Sequence, residues 1–198
     1  MVETRTTLLR RVRDPADSQS WSEFFALYEP LLMSYVRRRG LAEHDACDVV
    51  QDVFATLVRV LPGFELDHER GRFRTWLWRV AHNAMTDWVR RHGRRAAAED
   101  EARQAAEPAV EPDEAELEAE WLAAHRRRVL EHVLRQVRAD SQEKTWRCFD
   151  LHILQGRPSA DVAAELDLTA NSVYVNASRI LARVRAQCAD YAEDLADG

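Results

Sequence analysis

The 198-residue sequence predicts an all-α fold: two small helical domains joined by an acidic linker, the second containing a helix-turn-helix. Three observations carry that prediction. Apolar residues recur at helical spacing almost throughout, and no alternating strand pattern appears. Proline and glycine punctuate this rhythm. Charge is also segregated: Glu69 to Arg95 holds eight arginines against Glu69 and Asp87, a balance of +6, whereas Ala96 to Glu120 holds one arginine against ten acids, a balance of −9. The formal net charge of −6 therefore conceals a basic segment followed by an acidic one.

In chain order, a first short helix carries Leu8, Leu9 and Val12 and stops before Asp14-Pro15. A second runs from about Ser20 to Arg39 with Trp21, Phe24, Phe25, Tyr28, Leu31, Leu32, Tyr35 and Val36 inward, and Gly40 ends it. Pro30 falls inside that pattern and is expected to kink or split it. A third helix, about Glu43 to Leu61, buries Val49, Val50, Val53, Phe54 and Leu57 and ends at Pro62-Gly63. After a polar loop from Phe64 to Gly71, a fourth spans roughly Phe73 to His92. It places Trp76, Leu77, Val80, Ala84 and Trp88 on one face, and Gly93 closes it. These helices form a first domain, residues 1–95.

Residues 96–116 read as a linker, because alanine, glutamate and proline without an apolar stripe make a solvated, self-repelling segment. The second domain, 117–190, begins with a long helix marked by Leu117, Trp121, His125, Val129, Val133 and Val137. A shorter helix holds Trp146, Phe149, Ile153 and Leu154 and stops at Gly156. Ser159 suits an amino-terminal cap for a helix through Leu166, Asp167-Leu168 a tight turn, and Thr169 the cap of a final helix with Val173, Ala177, Ile180, Leu181 and Val184 inward. Two helices joined by a turn of this length form a helix-turn-helix. Residues 191–198 form an acidic tail.

The final helix carries its outward positions at Ser172, Tyr174, Val175, Asn176, Ser178, Arg179 and Arg183, and no acid occurs from Thr169 to Gln187. That suits a helix lying in the major groove, with side chains on base edges and arginines on phosphates. The basic segment interleaves arginines with Phe73, Trp76, Trp78 and Trp88. Cations neutralise phosphates and aromatic faces support unstacked bases. Trp76 and Trp88 fit core packing, Trp78 falls on a different face and is expected to be exposed, and Asn83 is placed to read a base edge.

Enzymatic chemistry finds no support. No metal signature, HExxH or nucleophile motif occurs, and Asp48 and Asp52, four residues apart, lack the apolar surroundings of a general acid. No catalytic residue, metal or cofactor is expected. Cys47, Cys148 and Cys188 are widely spaced and form no CxxC pair, so they read as small hydrophobes. The charged amino terminus lacks a secretory pattern and no apolar run is long enough to cross a membrane, which places the chain in the cytoplasm.

The stretch DVVQDVFATLVRVLPGF, followed by a short loop and FRTWLWRVAHNAMTDWVRRHGR, resembles the second conserved region of extracytoplasmic-function sigma factors. The helix-turn-helix from Pro158 to Arg185 resembles their fourth region. The resemblance implies a factor that binds core RNA polymerase and directs it to promoter DNA. It implies that Asp48, Gln51 and Asp52 dock on the clamp helices of the largest polymerase subunit, and that the carboxyl-terminal domain meets the flap of the second. Arg70, Arg72, Arg74, Trp78, Asn83, Asp87, Arg90 and Arg91 would contact the minus-ten element, with the loop Glu65 to Arg72 capturing an unstacked base. The final helix would read the minus-thirty-five element. The family commonly has a basic residue, a serine and an arginine where this chain has Tyr174, Val175 and Asn176, which implies a different upstream sequence or weaker phosphate anchoring. The factor is expected to be monomeric when free, and an anti-sigma protein is a further partner the family allows. A duplex-binding repressor would account only for the second domain; a protein-binding adaptor leaves the acid-free helix unexplained.

Overall fold

A computed structural model describes residues 8–64, 73–99 and 113–191, and every regular element among them is helical. The elements are α1 (Leu8–Arg11), α2 (Ser18–Arg37), α3 (Glu43–Val60), α4 (Phe73–Glu99), α5 (Glu114–Ala139), α6 (Glu143–Phe149), α7 (Ser159–Leu166) and α8 (Ala170–Asp190). A 3-10 turn, Leu61–Gly63, follows α3, and a π turn, Asp150–Leu154, continues α6. The all-α reading holds.

The chain divides into two compact units at Arg128/Val129, within α5, so the amino-terminal half of that helix belongs with the first unit. The sequence reading had placed the whole helix in the second domain. In the first unit, Asp17 caps α2, its carboxylate accepting from the Ser20 N–H at 2.9 Å and the Ser20 hydroxyl at 2.6 Å. The apolar stripes of α2, α3 and α4 then meet. Phe24, Leu32, Val53, Leu57 and Leu77 are each at most 1% exposed. Phe25 packs on Phe54 with centroids 4.3 Å apart, joining α2 to α3, and Phe73 sets α4 against Phe24 and Tyr28. The half of α5 in this unit adds Trp121, which is 1% exposed and donates its indole N–H to the Arg74 carbonyl at 3.0 Å.

Pro30 does not split α2, which runs unbroken from Ser18 to Arg37. Its ring is exposed, and the carbonyl of Ala26, four residues earlier, accepts from Arg128 Nη2 at 3.0 Å instead of from an amide. Arg128 Nε also donates to the Leu27 carbonyl at 3.3 Å. Gly93 does not close α4 either; the backbone stays helical to Glu99, so the first residues of the expected linker are helical.

In the second unit, α6, α7 and α8 enclose Cys148, Leu151, Val162, Ala163, Leu166 and Val173. Asp167 ends α7 with φ +51°, a left-handed conformation an aspartate tolerates better than most side chains. Thr169 caps α8, its hydroxyl accepting from the Ser172 N–H at 3.1 Å. Ser159, by contrast, is the first residue of α7; the cap is Pro158, with no side-chain bond. Ile153 and Leu154 are 41% and 51% exposed, because the π turn shifts the register after Phe149. The expected base-capture loop and the acidic tail from residue 192 lie outside the described residues, as does the linker from residue 100 to 112.

Candidate nucleic-acid interface

The exposed face of α4 carries Arg79, Asn83, Asp87, Arg90 and Arg91 at helical spacing. Buried Leu77 and Ala81 fix the rotation of the helix and so send this stripe outward. Facing it, α3 presents Asp52, Thr56 and Arg59. The two helices line a cleft of about 460 Å³ that includes Asn83, Asp87 and Arg91. Across it Arg91 Nη2 lies 3.5 Å from Asp52 Oδ2, both side chains 61% exposed. Asp48 and Gln51 are also exposed on α3, so all three residues of the expected docking face are accessible, with Asp52 at the cleft.

Two members of the expected minus-ten set are buried. Trp78 is 5% exposed and stacks on His82 with centroids 5.3 Å apart, while Tyr35 hydrogen-bonds His82 Nδ1 at 3.2 Å. Arg74 is 8% exposed, beneath α5. Neither side chain is available to DNA in this arrangement. The error is one of rotation: Trp76 and Trp88, assigned to the core, are half-buried instead, and Trp88 stacks on His92 at 4.1 Å. Arg70 and Arg72 lie outside the described residues.

Trp121 and His125 form the floor beneath Arg74. His125 is 4% exposed, stacks on Tyr28 and lies 3.4 Å from its hydroxyl. Burial, aided by the charges of Arg74 and Arg126, pushes its pKa down to about 4, so the ring is neutral. Its apolar-stripe position gave the burial but not the neighbouring arginine, which is distant in sequence.

On α8 the expected reading set separates. Tyr174, Val175, Ser178 and Arg179 are exposed. Asn176 is half-buried with its amide 3.8 Å from Cys148 Sγ, and Arg183 Nη1 donates to the Ser141 hydroxyl at 2.9 Å and to the Asp140 carbonyl at 3.4 Å. Ser172 is held at the cap, its hydroxyl 2.8 Å from that of Thr169. These three therefore serve the fold. Asn171 and Arg185, absent from the expected set, share the exposed face; a count of two turns, seven residues, either way from Ser178 would have found them. Among the described residues no cluster of potential metal ligands occurs, and no helix is long and apolar enough to cross a membrane.

Residues 24–95, which span α3 and most of α2 and α4, match the family model of sigma-70 region 2. Among curated proteins the chain is similar to the ECF RNA polymerase sigma factor RpoE of Cereibacter sphaeroides, 29% identical over 84 residues, covering 42% of this chain and 45% of that protein. It is also similar to the ECF RNA polymerase sigma factor SigE of Mycolicibacterium smegmatis, 31% identical over 91 residues, 46% of this chain and 34% of that protein. The match thus spans less than half the length of either relative.

Proposed function

We propose that this chain is a sigma factor of the ECF type, similar to the relatives above, and that it initiates transcription by holding core polymerase on α3 and promoter DNA on α4, on either side of the cleft between them. The observation that carries this reading is the cleft itself, where α3 supplies Asp52 and Arg59 and α4 supplies Asn83, Asp87 and Arg91. Asp48, Gln51 and Asp52 form the acidic and amide face toward the clamp helices of the largest subunit, an arrangement that suits a basic partner. Arg79, Asn83, Asp87, Arg90 and Arg91 meet the minus-ten element. Arginines hold its phosphates, Asn83 pairs with a base edge, and Asp87 accepts from an exocyclic amine. The second unit reads the minus-thirty-five element through α8 and meets the flap of the second large subunit.

The mechanism is binding without catalysis. Strand opening is favoured because an extruded base gains stacking and hydrogen bonds that offset a few kcal/mol of lost pairing. The chain acts in the cytoplasm, where polymerase and promoters are, and an anti-sigma protein is a fitting regulator. Run-off transcription on genomic fragments with core polymerase, with and without the chain, tests this: discrete start sites should appear only with it. Asn83→Ala should lower open-complex formation about tenfold, within the worth of one bidentate base contact, and leave core binding unchanged. Silence on every fragment would overturn the sigma reading; equal loss of both activities would remove Asn83 from its role.

A further inference from the structure

The exposed face of α8 is apolar where a solvated helix carries charge. Tyr174 is 53% exposed and Val175 40%, in the second turn of the helix. Along the same face lie Asn171, Ser178, Ala182 and Arg185, all exposed. A single exposed apolar residue needs no explanation. Here two further observations do.

The first is that Tyr174 is held. The His152 ring meets it edge-on at 90° with centroids 4.9 Å apart. His152 is itself fixed, its Nδ1–H donating to the Arg157 carbonyl at 2.7 Å, and it stands in the π turn Asp150–Leu154. Single π turns of this kind frequently mark functional sites. The second observation is the surroundings. No acid occurs between Thr169 and Gln187, and Arg179 and Arg185 are exposed, so the face suits a polyanion. Ser178 and Ala182 are small enough to let the helix approach closely.

The polar side chains that would otherwise read bases are committed elsewhere, Asn176 to Cys148 and Arg183 to the loop after α5. What remains at the tip of the face is Asn171, Tyr174, Val175 and Ser178. In the major groove the base-edge feature that an apolar side chain recognises is the 5-methyl group of thymine. We infer that Tyr174 and Val175 read thymine methyls in the upstream promoter element, with His152 as a positioning residue for Tyr174. This rests on the sigma-factor reading and adds the base chemistry to it.

The test uses the holoenzyme and a duplex that it selects from a random library, prepared with thymine or with deoxyuridine in the upstream element. The replacement removes only the methyl groups. The unaltered holoenzyme should lose about fourfold in affinity per contacted methyl, the worth of one buried methyl group. The double variant Tyr174→Ala, Val175→Ala should bind both duplexes equally, and His152→Ala should shrink the thymine preference. All three positions leave the core of the unit untouched, and unchanged thermal unfolding confirms that the variants fold. Equal binding of both duplexes by the unaltered holoenzyme would overturn the inference, as would a thymine preference that survives the double variant. Failure of the sigma reading is distinct: run-off transcripts would be missing on every fragment, whereas correct transcripts with no methyl preference sink this inference alone.

Discussion

Removing the Arg128 guanidinium should cost more stability with Pro30 in place than without it. Proline has no N–H, so at position 30 it leaves the Ala26 carbonyl without its helical donor. Arg128 fills that place with a bond of 3.0 Å, and a second of 3.3 Å to Leu27 holds the fork. A hydrogen bond from a charged donor contributes about 1.5–3 kcal/mol when the acceptor is otherwise left unsatisfied. Ala26 is exposed, so water replaces part of the loss, and Arg128→Met, which keeps the apolar stem, should cost about 1 kcal/mol. Pro30→Ala restores the amide and should stabilise α2 by about 1–3 kcal/mol. In that background Arg128→Met should cost less, by more than about 0.5 kcal/mol. Native-state hydrogen exchange read on α2 peptides isolates the opening of this unit. Equal costs in the two backgrounds, within about 0.5 kcal/mol, would refute the reasoning, since independent sites add to that precision.

Trp121→Ala should destabilise the first unit by about 3–5 kcal/mol, the usual range for a buried tryptophan, and the same exchange measurement would show it. A chain ending at residue 112 should open its first unit far more readily than one ending at residue 128, where the unit closes. Lowering the pH should weaken this unit through His125. Folding depresses its pKa from 6.5 to about 4, so between those values the unfolded chain takes up a proton that the folded chain does not. Stability contributed by this group is full above pH 6.5 and falls by about 3 kcal/mol on approach to pH 4. The difference between the unaltered chain and His125→Gln, followed from pH 7 to pH 4, isolates it, and parallel curves would contradict the burial argument.

The periodicity of apolar residues was enough for every helix, because a buried stripe is a local property of the chain. What it could not supply was rotation where two aromatics compete. Trp76 and Trp78 are equally apolar, and the choice between them depends on α5 covering Arg74 and on His82 offering its ring to Trp78, contacts made by residues distant in sequence or set by packing. The same limit applies to Arg74, whose charge reads as phosphate-binding until a tryptophan 47 positions away covers its backbone. Pro30 misleads for a related reason: the partner that compensates it is 102 positions from Ala26. On α8 the local pattern gave the exposure of Tyr174, Val175, Ser178 and Arg179, but it missed Asn171 and Arg185 and could not show that a cap or a partner within the unit holds Ser172, Asn176 and Arg183.

The pair Asp52–Arg91 couples the two proposed surfaces. At 3.5 Å with both side chains 61% exposed, the ion pair contributes at most about 1 kcal/mol, so either charge leaves it cheaply for a stronger partner. A phosphate is one such partner for Arg91, and a basic polymerase helix is one for Asp52. Whichever is engaged first releases the other, because a carboxylate drawn to polymerase no longer holds the guanidinium. Asp52→Asn should therefore act in opposite directions on the two activities. Core binding should weaken several-fold, while the holoenzyme's affinity for promoter DNA should rise modestly, by up to about fivefold, with a steeper dependence on salt as Arg91 engages a phosphate fully. Asp48→Asn, whose side chain lines no part of the cleft, should weaken core binding alone. If Asp52→Asn lowers both affinities together, the carboxylate supports DNA binding instead of restraining Arg91, and the coupling does not exist.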